Sequence, residues 1–398
     1  MMREQDASPP RLLMVTTVAE MLYSFLLPFA RHFRARGWRV DALARGVDGW
    51  PECAEAFDRV FDIPWSRQPI HPTNLLSVPK RVRALVASQG YDLVHVHSPV
   101  AAFVTRMALR RMRSTGKPRV IYTAHGFHFY HGGPRVRGAM FRTLERLAGR
   151  WTDYLVVINR EDEEAALRYG IVPPDRLRYM PGIGVDTQVY SAAAVPPSAI
   201  AAVRAELELK PNQSLFLMVA EFIPRKRHRD VLHAFARLGR PNAVLALASV
   251  GPLLDQMKQL ATSLGIVDRV RFVGFRKDVP ALVQSSVATL LPSEQEGLPR
   301  TVMESMCQSV PVIASCIRGV TDLLRNGRGL MVPVGDVPAL TNALAWVLDH
   351  PDEAQAMGER GRAVMAAYDL SHILELHEDL YDEALGGVAS RSPCELRV

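Results

Sequence analysis

The chain has 398 residues, of which 48% are hydrophobic and 22% are charged, and its formal net charge is +7 at pH 7. This length suits two domains, and this composition is ordinary for a protein that folds around apolar cores. The chain contains no apolar run of about 18 residues and its first eleven residues are polar, so we expect neither a transmembrane helix nor a signal peptide.

The first half of the chain alternates short apolar runs with amphipathic stretches. The run Leu12–Val15 predicts a buried strand, and the helical spacing of the next apolar residues predicts a helix. Those residues are Leu22, Phe25, Leu26, Phe29 and Phe33. Further strands are predicted at 40–43, 93–96, 120–123 and 155–158. Strands separated by helices are typical of a parallel α/β sheet.

The same pattern starts again after Ala194–Ser198, a segment with two prolines that we interpret as a linker. Strands are predicted at 215–219, 244–249, 270–273, 287–291, 312–314 and 329–332. Helices are predicted at 229–238, 253–264, 300–307 and 338–348, with a last helix at 371–385. Two α/β halves of similar size predict a ligand-binding cleft between them.

Positive charge is concentrated in the first half. Residues 1–150 hold 23 Lys and Arg against 11 Asp and Glu, whereas the remaining residues hold 25 against 30. A membrane surface or an anionic lipid-linked molecule fits such a basic segment. Nucleic acid is disfavoured because the basic residues form no helix-turn-helix and no aromatic-interleaved pattern. The Arg-rich run 106–119 can also be a solvated helix face.

The four cysteines show neither metal-ligand spacing nor a disulfide framework, which favours a reducing cytoplasm. They are Cys53, Cys307, Cys316 and Cys394.

Two carboxylates, Glu296 and Glu304, flank a Gly-Leu-Pro turn that follows a predicted strand and opens a predicted helix. This arrangement suits a sugar nucleotide. One carboxylate can accept hydrogen bonds from sugar hydroxyls, the other can bridge the ribose hydroxyls, and the amides at the helix start can face the diphosphate. The alternative is that both acids are surface residues and the turn only links strand to helix.

Basic and imidazole groups follow two other predicted strands. Lys226 is our first candidate for a phosphate contact and Arg225 our second, because both follow a strand and precede a helix. An exposed basic loop is the alternative. His125 precedes a glycine at a strand end and can hydrogen-bond a sugar, although a structural role stays open. The set His125, His128 and His131 lies in a glycine-containing loop, so we predict no metal site there. For His95 and His97 we expect packing or hydrogen bonding.

Taken together, these motifs resemble the retaining group-1, or family 4, glycosyltransferases of the GT-B fold, over about residues 11–385. The segments that carry the resemblance are Glu296 with Glu304, 224–226, 181–186, 159–162 and 273–278. The first half is similar to the branch that acts in bacterial polysaccharide and lipid-linked oligosaccharide assembly. Its matching segments are 15–20, Arg67-Gln68-Pro69, 95–99 and 123–130.

The resemblance implies a role for each matching residue. Glu296 would contact the donor sugar and Glu304 the ribose, while Lys226 and Arg225 would neutralise the leaving diphosphate. The amides of Gly297 and Leu298, beside Pro299, would face the phosphates. Arg276 would lie near the base and His125 near the reacting centre. Thr17 would belong to a Thr16-Thr17-Val18 loop that closes over the site. Many members carry Gly-Arg where this chain has Ala220-Glu221, so Arg225 would supply the second phosphate contact.

The resemblance also implies the architecture: two Rossmann-like domains facing a cleft, at 1–190 on the acceptor side and 191–370 on the nucleotide-sugar side. A last helix at 371–388 would pack back on the first domain. We expect metal-independent transfer of a hexose-type sugar, with retention, from a nucleoside diphosphate, most simply UDP. No cofactor is expected beyond this donor. The implied acceptor is a polyprenyl-diphosphate-linked saccharide at the inner face of the cytoplasmic membrane.

Three points stay open at this stage. The helix that carries Leu22, Phe25, Leu26 and Phe29, with nearby arginines, can dock on that membrane or simply pack in the core. A sugar-nucleotide epimerase or phosphorylase of the same fold is an enzyme alternative, although no acid/base pair or cofactor lysine is evident. A non-catalytic sugar-nucleotide-binding subunit is the other alternative.

Overall fold

A computed structural model describes residues 8–66, 68, 71–112 and 116–387. Arg67 and Pro69 of the motif above, Cys394 and the predicted helix end at 388 lie outside these ranges. The chain divides into two units. Unit 1 comprises Met1–Ile183 with Ile373–Val398, and unit 2 comprises Gly184–His372.

Unit 1 is built on a parallel sheet. Its seven strands are β1 Arg11–Val18, β2 Arg39–Arg45, β3 Arg59–Asp62, β4 Leu93–His97, β5 Arg119–Ala124, β6 Tyr154–Val157 and β7 Leu177–Tyr179. They lie in the order β3-β2-β1-β4-β5-β6-β7, and all neighbouring pairs are parallel. The central strands are almost wholly buried because helices cover both faces of the sheet, which explains why their sequences are mostly apolar.

The helices of unit 1 fill the connections between these strands. They are α1 Ala19–Met21, a π-helical turn Leu22–Leu26, α2 Leu27–Ala35, α3 Pro51–Ala56, α4 Pro72–Gln89, α5 Pro99–Leu109, α6 Arg135–Gly149 and α7 Arg160–Tyr169.

Unit 2 has a second parallel sheet. Its strands are β8 Ser214–Val219, β9 Ala243–Ala248, β10 Val270–Gly274, β11 Ala288–Leu291, β12 Val312–Ser315 and β13 Leu330–Val332, in the order β10-β9-β8-β11-β12-β13. Its helices are α8 Pro197–Glu206, α9 His228–Leu238, α10 Leu254–Ser263, α11 Val279–Gln284, α12 Arg300–Cys307, α13 Val320–Leu324, α14 Val337–Asp349 and α15 Pro351–Arg362. The predicted α/β class with two Rossmann-like sheets is confirmed.

The last helix, α16 Leu370–Ala384, returns to unit 1 from Ile373 onward, as the resemblance implied. The Tyr381 hydroxyl lies 2.5 Å from His95 Nδ1, and Arg178 pairs with Glu383 at 2.5 Å. Tyr381 also packs against the Phe33 ring at 4.8 Å. These contacts bury one face of the helix in the core of unit 1.

The structure corrects the docking role considered for the first predicted helix. Leu22, Leu26 and Phe29 are at most 2% exposed, so its apolar face belongs to the core. Two of its arginines are engaged as well, since Arg34 pairs with Asp58 at 3.0 Å and Arg36 pairs with Glu378 at 2.6 Å, while Arg31 is exposed. Because the apolar face of this helix packs in the core, it is not available to contact a bilayer. The alternative, packing in the core, therefore holds for this helix.

Three smaller expectations are also corrected. Thr16–Val18 is not a loop but the end of β1, and Thr16 is wholly buried. Ala194–Ser198 is not a free linker, because α8 begins within it and Val195 packs in the core of unit 2. Within the Arg-rich run 106–119, Arg106 is not on a solvated face: it is wholly buried, pairs with Glu145 at 2.8 Å and lies over the Tyr122 ring. Arg110 and Arg111 are exposed, as the alternative expected.

Within the described ranges, every helix is too short or too polar to cross a bilayer.

Candidate active site

The loops that follow β8 and β11 meet at the carboxyl edge of the sheet in unit 2, because these two strands are neighbours. Lys226 Nζ donates to Glu296 Oε1 at 2.5 Å, and these side chains are only 15% and 10% exposed. The Glu294 N–H donates to the carbonyl of Arg225 at 2.8 Å, which ties the two loops together through the backbone. Arg225 itself is exposed. The structure thus brings together a cation and a carboxylate that lie 70 residues apart in sequence.

A third loop, after β12, packs against the Glu296–Pro299 turn and fixes it. Arg318 is 6% exposed, and its Nε donates to the carbonyl of Glu296 at 3.2 Å. Gly319 has a φ of +74°, and a Cβ there would lie 1.9 Å from the carbonyl oxygen of Gly297. Only glycine allows this approach. Our reading of the sequence missed both residues, although an Arg-Gly pair after a strand of the same sheet edge was an available signal.

The turn leads directly into α12. Leu298 and Pro299 are buried, Gly297 is half-buried, and α12 begins at Arg300 with no side chain capping its first amides. Helix-start amides carry a partial positive charge and bind anions. The predicted strand–turn–helix arrangement is therefore present, and it offers backbone donors beside the Lys226–Glu296 pair.

Glu304 lies one turn into α12 and is not a surface acid. It is 6% exposed, and its Oε1 lies 3.0 Å from Arg300 Nε. Burial raises the pKa of the Glu304 carboxyl, while Arg300 and a hydrogen bond from the Tyr190 hydroxyl oppose that shift. Tyr190 is a residue that our reading of the sequence missed, because nothing local marks a tyrosine 114 positions upstream as a partner of Glu304. The two partners hold the carboxylate in a fixed position.

Arg276 lies in the loop after β10 and is held by two carboxylates. Its guanidinium donates to Glu206 at 2.8 Å and to Asp278 at 2.7 Å. Both hydrogen bonds raise the pKa of Arg276. The neighbouring Phe275 is 70% exposed at the same sheet edge, so it offers a free aromatic face there.

His125 lies in unit 1, directly after β5, and is part of a chain of histidines. His97 Nδ1 and His125 Nε2 lie 3.0 Å apart, with one ring donating and the other accepting. His95 in turn contacts Thr123 Oγ1 at 2.7 Å, and its ring lies 4.2 Å from that of His97. Burial, followed by the proximity of His377, lowers the pKa of His125 to about 4. The ring is therefore neutral at pH 7, and the hydrogen-bonding role expected for His95 and His97 is confirmed.

The loop that carries His125 is fixed by the start of α7. Asn159 caps this helix by accepting from the Asp162 N–H at 2.8 Å, and Asp162 Oδ2 accepts from the Phe127 N–H at 3.1 Å. His128 and His131 lie further along the same loop, which is not helical. Thr17 is 7% exposed at the end of β1, the neighbour of β4 in the sheet. His125 and Thr17 thus lie at the carboxyl edge of the sheet in unit 1.

Known proteins are similar to this chain in sequence and in fold. Residues 200–364 match the family Glycosyl transferases group 1, and residues 25–182 match the Glycosyl transferase 4-like domain. EpsD of Bacillus subtilis, whose name assigns it to the glycosyltransferases, is 30% identical over 93% of this chain and 96% of its own length. The Escherichia coli UDP-Gal:alpha-D-GlcNAc-diphosphoundecaprenol alpha-1,3-galactosyltransferase is 28% identical over 67% of this chain and 68% of its own length.

A solved structure shows the same fold. HepE of Anabaena, crystallised with UDP and glucose, superimposes with a TM-score of 0.78 over 94% of this chain and 100% of its own. Its sequence identity is 18%, so it supports the architecture alone. The GT-B fold implied by the sequence motifs is confirmed. Because both halves match family sequences and EpsD aligns along nearly its whole length, the chain belongs to the group-1 glycosyltransferases.

Proposed function

We propose that the protein transfers a hexose-type sugar, with retention and without a metal ion, from a UDP-sugar to a polyprenyl-diphosphate-linked saccharide. The proposal further places it at the inner face of the cytoplasmic membrane. The name of the E. coli relative supports both the uridine donor and the lipid diphosphate acceptor. The net positive charge of residues 1–150 suits an anionic acceptor.

The observation that carries the proposal is the Lys226–Glu296 pair, held at 2.5 Å beside the start of α12 and one helical turn from the buried Glu304. In the proposed complex, Lys226 and the exposed Arg225 contact the diphosphate. Such cations, fixed before the reaction, stabilise the charge that develops on the leaving group. Because the positive charge comes from side chains, no metal ion is required for this step.

The other assignments follow the geometry of the same loops. Glu296 accepts hydrogen bonds from the donor sugar, Glu304 accepts them from the ribose, and the amides of Gly297 and Leu298 face the phosphates. Pro299 fixes the turn between these amides and the helix. Arg276 borders the uracil, where the exposed Phe275 supplies a stacking surface.

His125 and Thr17 complete the assignment in unit 1. We propose that both contact the donor, His125 through a neutral ring that His97 orients. In the proposed reaction, the acceptor oxygen bonds to the anomeric carbon as the bond from that carbon to the diphosphate oxygen breaks. The acceptor proton passes to an oxygen of the leaving phosphate. No enzyme nucleophile is needed for this front-face displacement.

Replacing Glu304 by Gln is expected to weaken donor binding about tenfold, because an amide accepts fewer hydrogen bonds from two ribose hydroxyls than a carboxylate does. The measurement is a titration of the dissociation constant of UDP by calorimetry. The matched control is Asp336→Asn, which changes the carboxylate that caps α14 in the same unit. An unchanged dissociation constant in Glu304→Gln would remove the ribose role.

The function is tested by incubating the protein with a panel of labelled UDP-hexoses and a bacterial lipid extract, in the presence of EDTA. The expected result is label in the organic phase, bound through an acid-labile diphosphate, with the α-anomeric configuration of the donor in the product. UDP-hexose converted into an epimer without transfer would identify an epimerase instead. Donor binding with neither product would identify a binding subunit.

A further inference from the structure

Helix α6 carries an exposed apolar strip on the surface of unit 1. Val136 is 86% exposed, Met140 is 52% exposed and Leu147 is 40% exposed. At about 100° per residue, positions 136, 140 and 147 fall within about 40° of one another around the helix. Three large apolar side chains therefore point in one direction, away from the core.

Arginines flank this strip on both sides. Arg135 and Arg146 lie on one side of it and Arg137 on the other, each about 80–100° from Val136 by the same helical geometry. All three are exposed. The Arg137 guanidinium lies 5.6 Å from the centre of the Phe141 ring. An apolar strip with basic residues on both sides is the pattern of a helix that lies in the plane of a membrane interface.

The opposite face of α6 fixes the helix to unit 1. Glu145 is 8% exposed and pairs with the buried Arg106 at 2.8 Å. At Gly149 the backbone packs so closely that a Cβ would lie 1.8 Å from the Ile171 carbonyl oxygen. The inner face of the helix thus carries a polar contact and a close backbone approach, and Phe141 packs there against the core, whereas Val136, Met140 and Leu147 lie on the outer face. Core packing does not account for them.

A second feature of this surface is a cavity next to the first turn of α6, which is lined by several arginines. A cavity of about 870 Å³ in unit 2 has no such cluster of arginines. The cavity beside α6 has a volume of about 630 Å³ and is lined by Arg135, Arg142 and Arg168, together with Glu161 and Glu164. Its arginines extend the positive surface from the apolar strip to the neighbouring helix α7. Clustered arginines of this kind attract lipid phosphates.

We propose that the outer face of α6 docks the protein on an anionic phospholipid bilayer, with Val136, Met140 and Leu147 in the interface and the flanking arginines on lipid phosphates. The proposal extends the lipid-linked acceptor proposed above by naming the surface that contacts the membrane. Charge complementarity favours a bilayer over a second copy of the chain, since two such faces would bring their arginines together. The apolar face of α1 and α2 does not compete for this role, because it packs in the core.

Vesicle co-sedimentation tests the proposal, with phosphatidylcholine vesicles that contain either no anionic lipid or about one-third phosphatidylglycerol. Binding is expected only to the anionic vesicles and should fall as salt is raised. Because each arginine near the surface changes binding about fivefold, Arg137→Gln with Arg146→Gln should weaken it about twenty-fivefold. Val136→Ser should weaken it about tenfold by removing apolar burial.

The matched controls carry the same changes on unit 2. Arg237→Gln with Lys258→Gln removes the same charge from exposed positions, and Val267→Ser replaces a valine that is 48% exposed. Both controls should bind vesicles as the wild type does. If the controls lost as much vesicle binding as the α6 variants, binding would depend on net charge and not on this surface, and the proposal would be overturned. Gel filtration showing that Val136→Ser dissolves an oligomer while vesicle binding is unchanged would also overturn it. The assay needs no donor or acceptor, so its failure would leave the proposed transfer reaction standing.

Discussion

Lys226→Ala is expected to lower turnover about a hundredfold, the largest effect of any single change in unit 2. The proposed role of Lys226 is to stabilise the leaving diphosphate, and removal of one fixed charge-stabilising donor costs about 10²–10³ in kcat. The loss should fall mainly on kcat, because the charge on the leaving oxygen develops in the transition state. The measurement is steady-state transfer at saturating UDP-sugar.

Glu296→Ala is expected to lower turnover by at least about tenfold, because it removes both a sugar contact and the partner that positions Lys226. The variant that combines Lys226→Ala with Glu296→Ala should turn over at most a few fold more slowly than Lys226→Ala alone, since the two residues act as a unit. Arg178→Ala, which breaks an ion pair of similar length in unit 1, is the matched control and should leave kcat unchanged.

Loss of activity through unfolding would be a separate effect. Lys226→Ala leaves Glu296, 10% exposed, without its cation. Lys226→Met keeps the volume of the side chain, and far-UV circular dichroism with a thermal scan shows whether each variant is folded. Near-normal turnover in folded Lys226→Ala and Glu296→Ala would reject the assignment of the site.

The second large effect is a loss of stability in weak acid. Burial lowers the pKa of His377 and of His228 to about 4. Above pH 6.5, these rings are neutral in both the folded and the unfolded chain, so they do not lower the free energy of unfolding. As the pH falls from 6.5 towards 4, only the unfolded chain takes up protons, and the free energy of unfolding decreases. At pH 5 each histidine contributes a loss of about 2 kcal/mol.

The same sign applies to His95 and His97, whose pKa values burial also lowers. Urea unfolding at pH 7.5 and pH 5 measures the difference, which should be at least about 4 kcal/mol across the two units. His377→Phe keeps a ring among Phe29 and Tyr381 and should reduce the pH dependence of the transition in unit 1. His350→Phe, an exposed position, is the control. A free energy of unfolding that is equal at both pH values would contradict this account.

The sequence predicted the buried strands well and the edges less well. Mostly apolar runs marked β1, β2, β4 and β8, because helices on both faces of a parallel sheet leave such strands few polar positions. Asp41 in β2 and His95 in β4 are buried exceptions. The edge strands β3 and β7 escaped notice because β3 is only four residues long with charged ends, and β7 has three half-buried residues. The first helix was recognised, but its spacing alone could not separate a core face from a membrane face.

The candidate site was predictable where its chemistry is local in sequence. Glu296, Glu304 and Lys226 follow strands of one sheet, so the carboxyl-edge rule for parallel sheets already placed them together. Arg318, Gly319 and Tyr190 were not predicted, because each acts through a contact with a segment distant in sequence. The exposed apolar strip on α6 likewise became visible only once the inner face of that helix was known.

One measurement tests the central proposal, a uridine-nucleotide donor site built on Lys226, Glu296 and Glu304. It is thermal unfolding with a panel of nucleoside diphosphates and their sugars, with EDTA present. Stabilisation by UDP or UDP-sugars is predicted, by several degrees at about a hundred times the dissociation constant, and Glu304→Ala should reduce it. Stabilisation by another nucleotide alone would contradict the uridine assignment, and no response to any nucleotide would contradict the donor site itself.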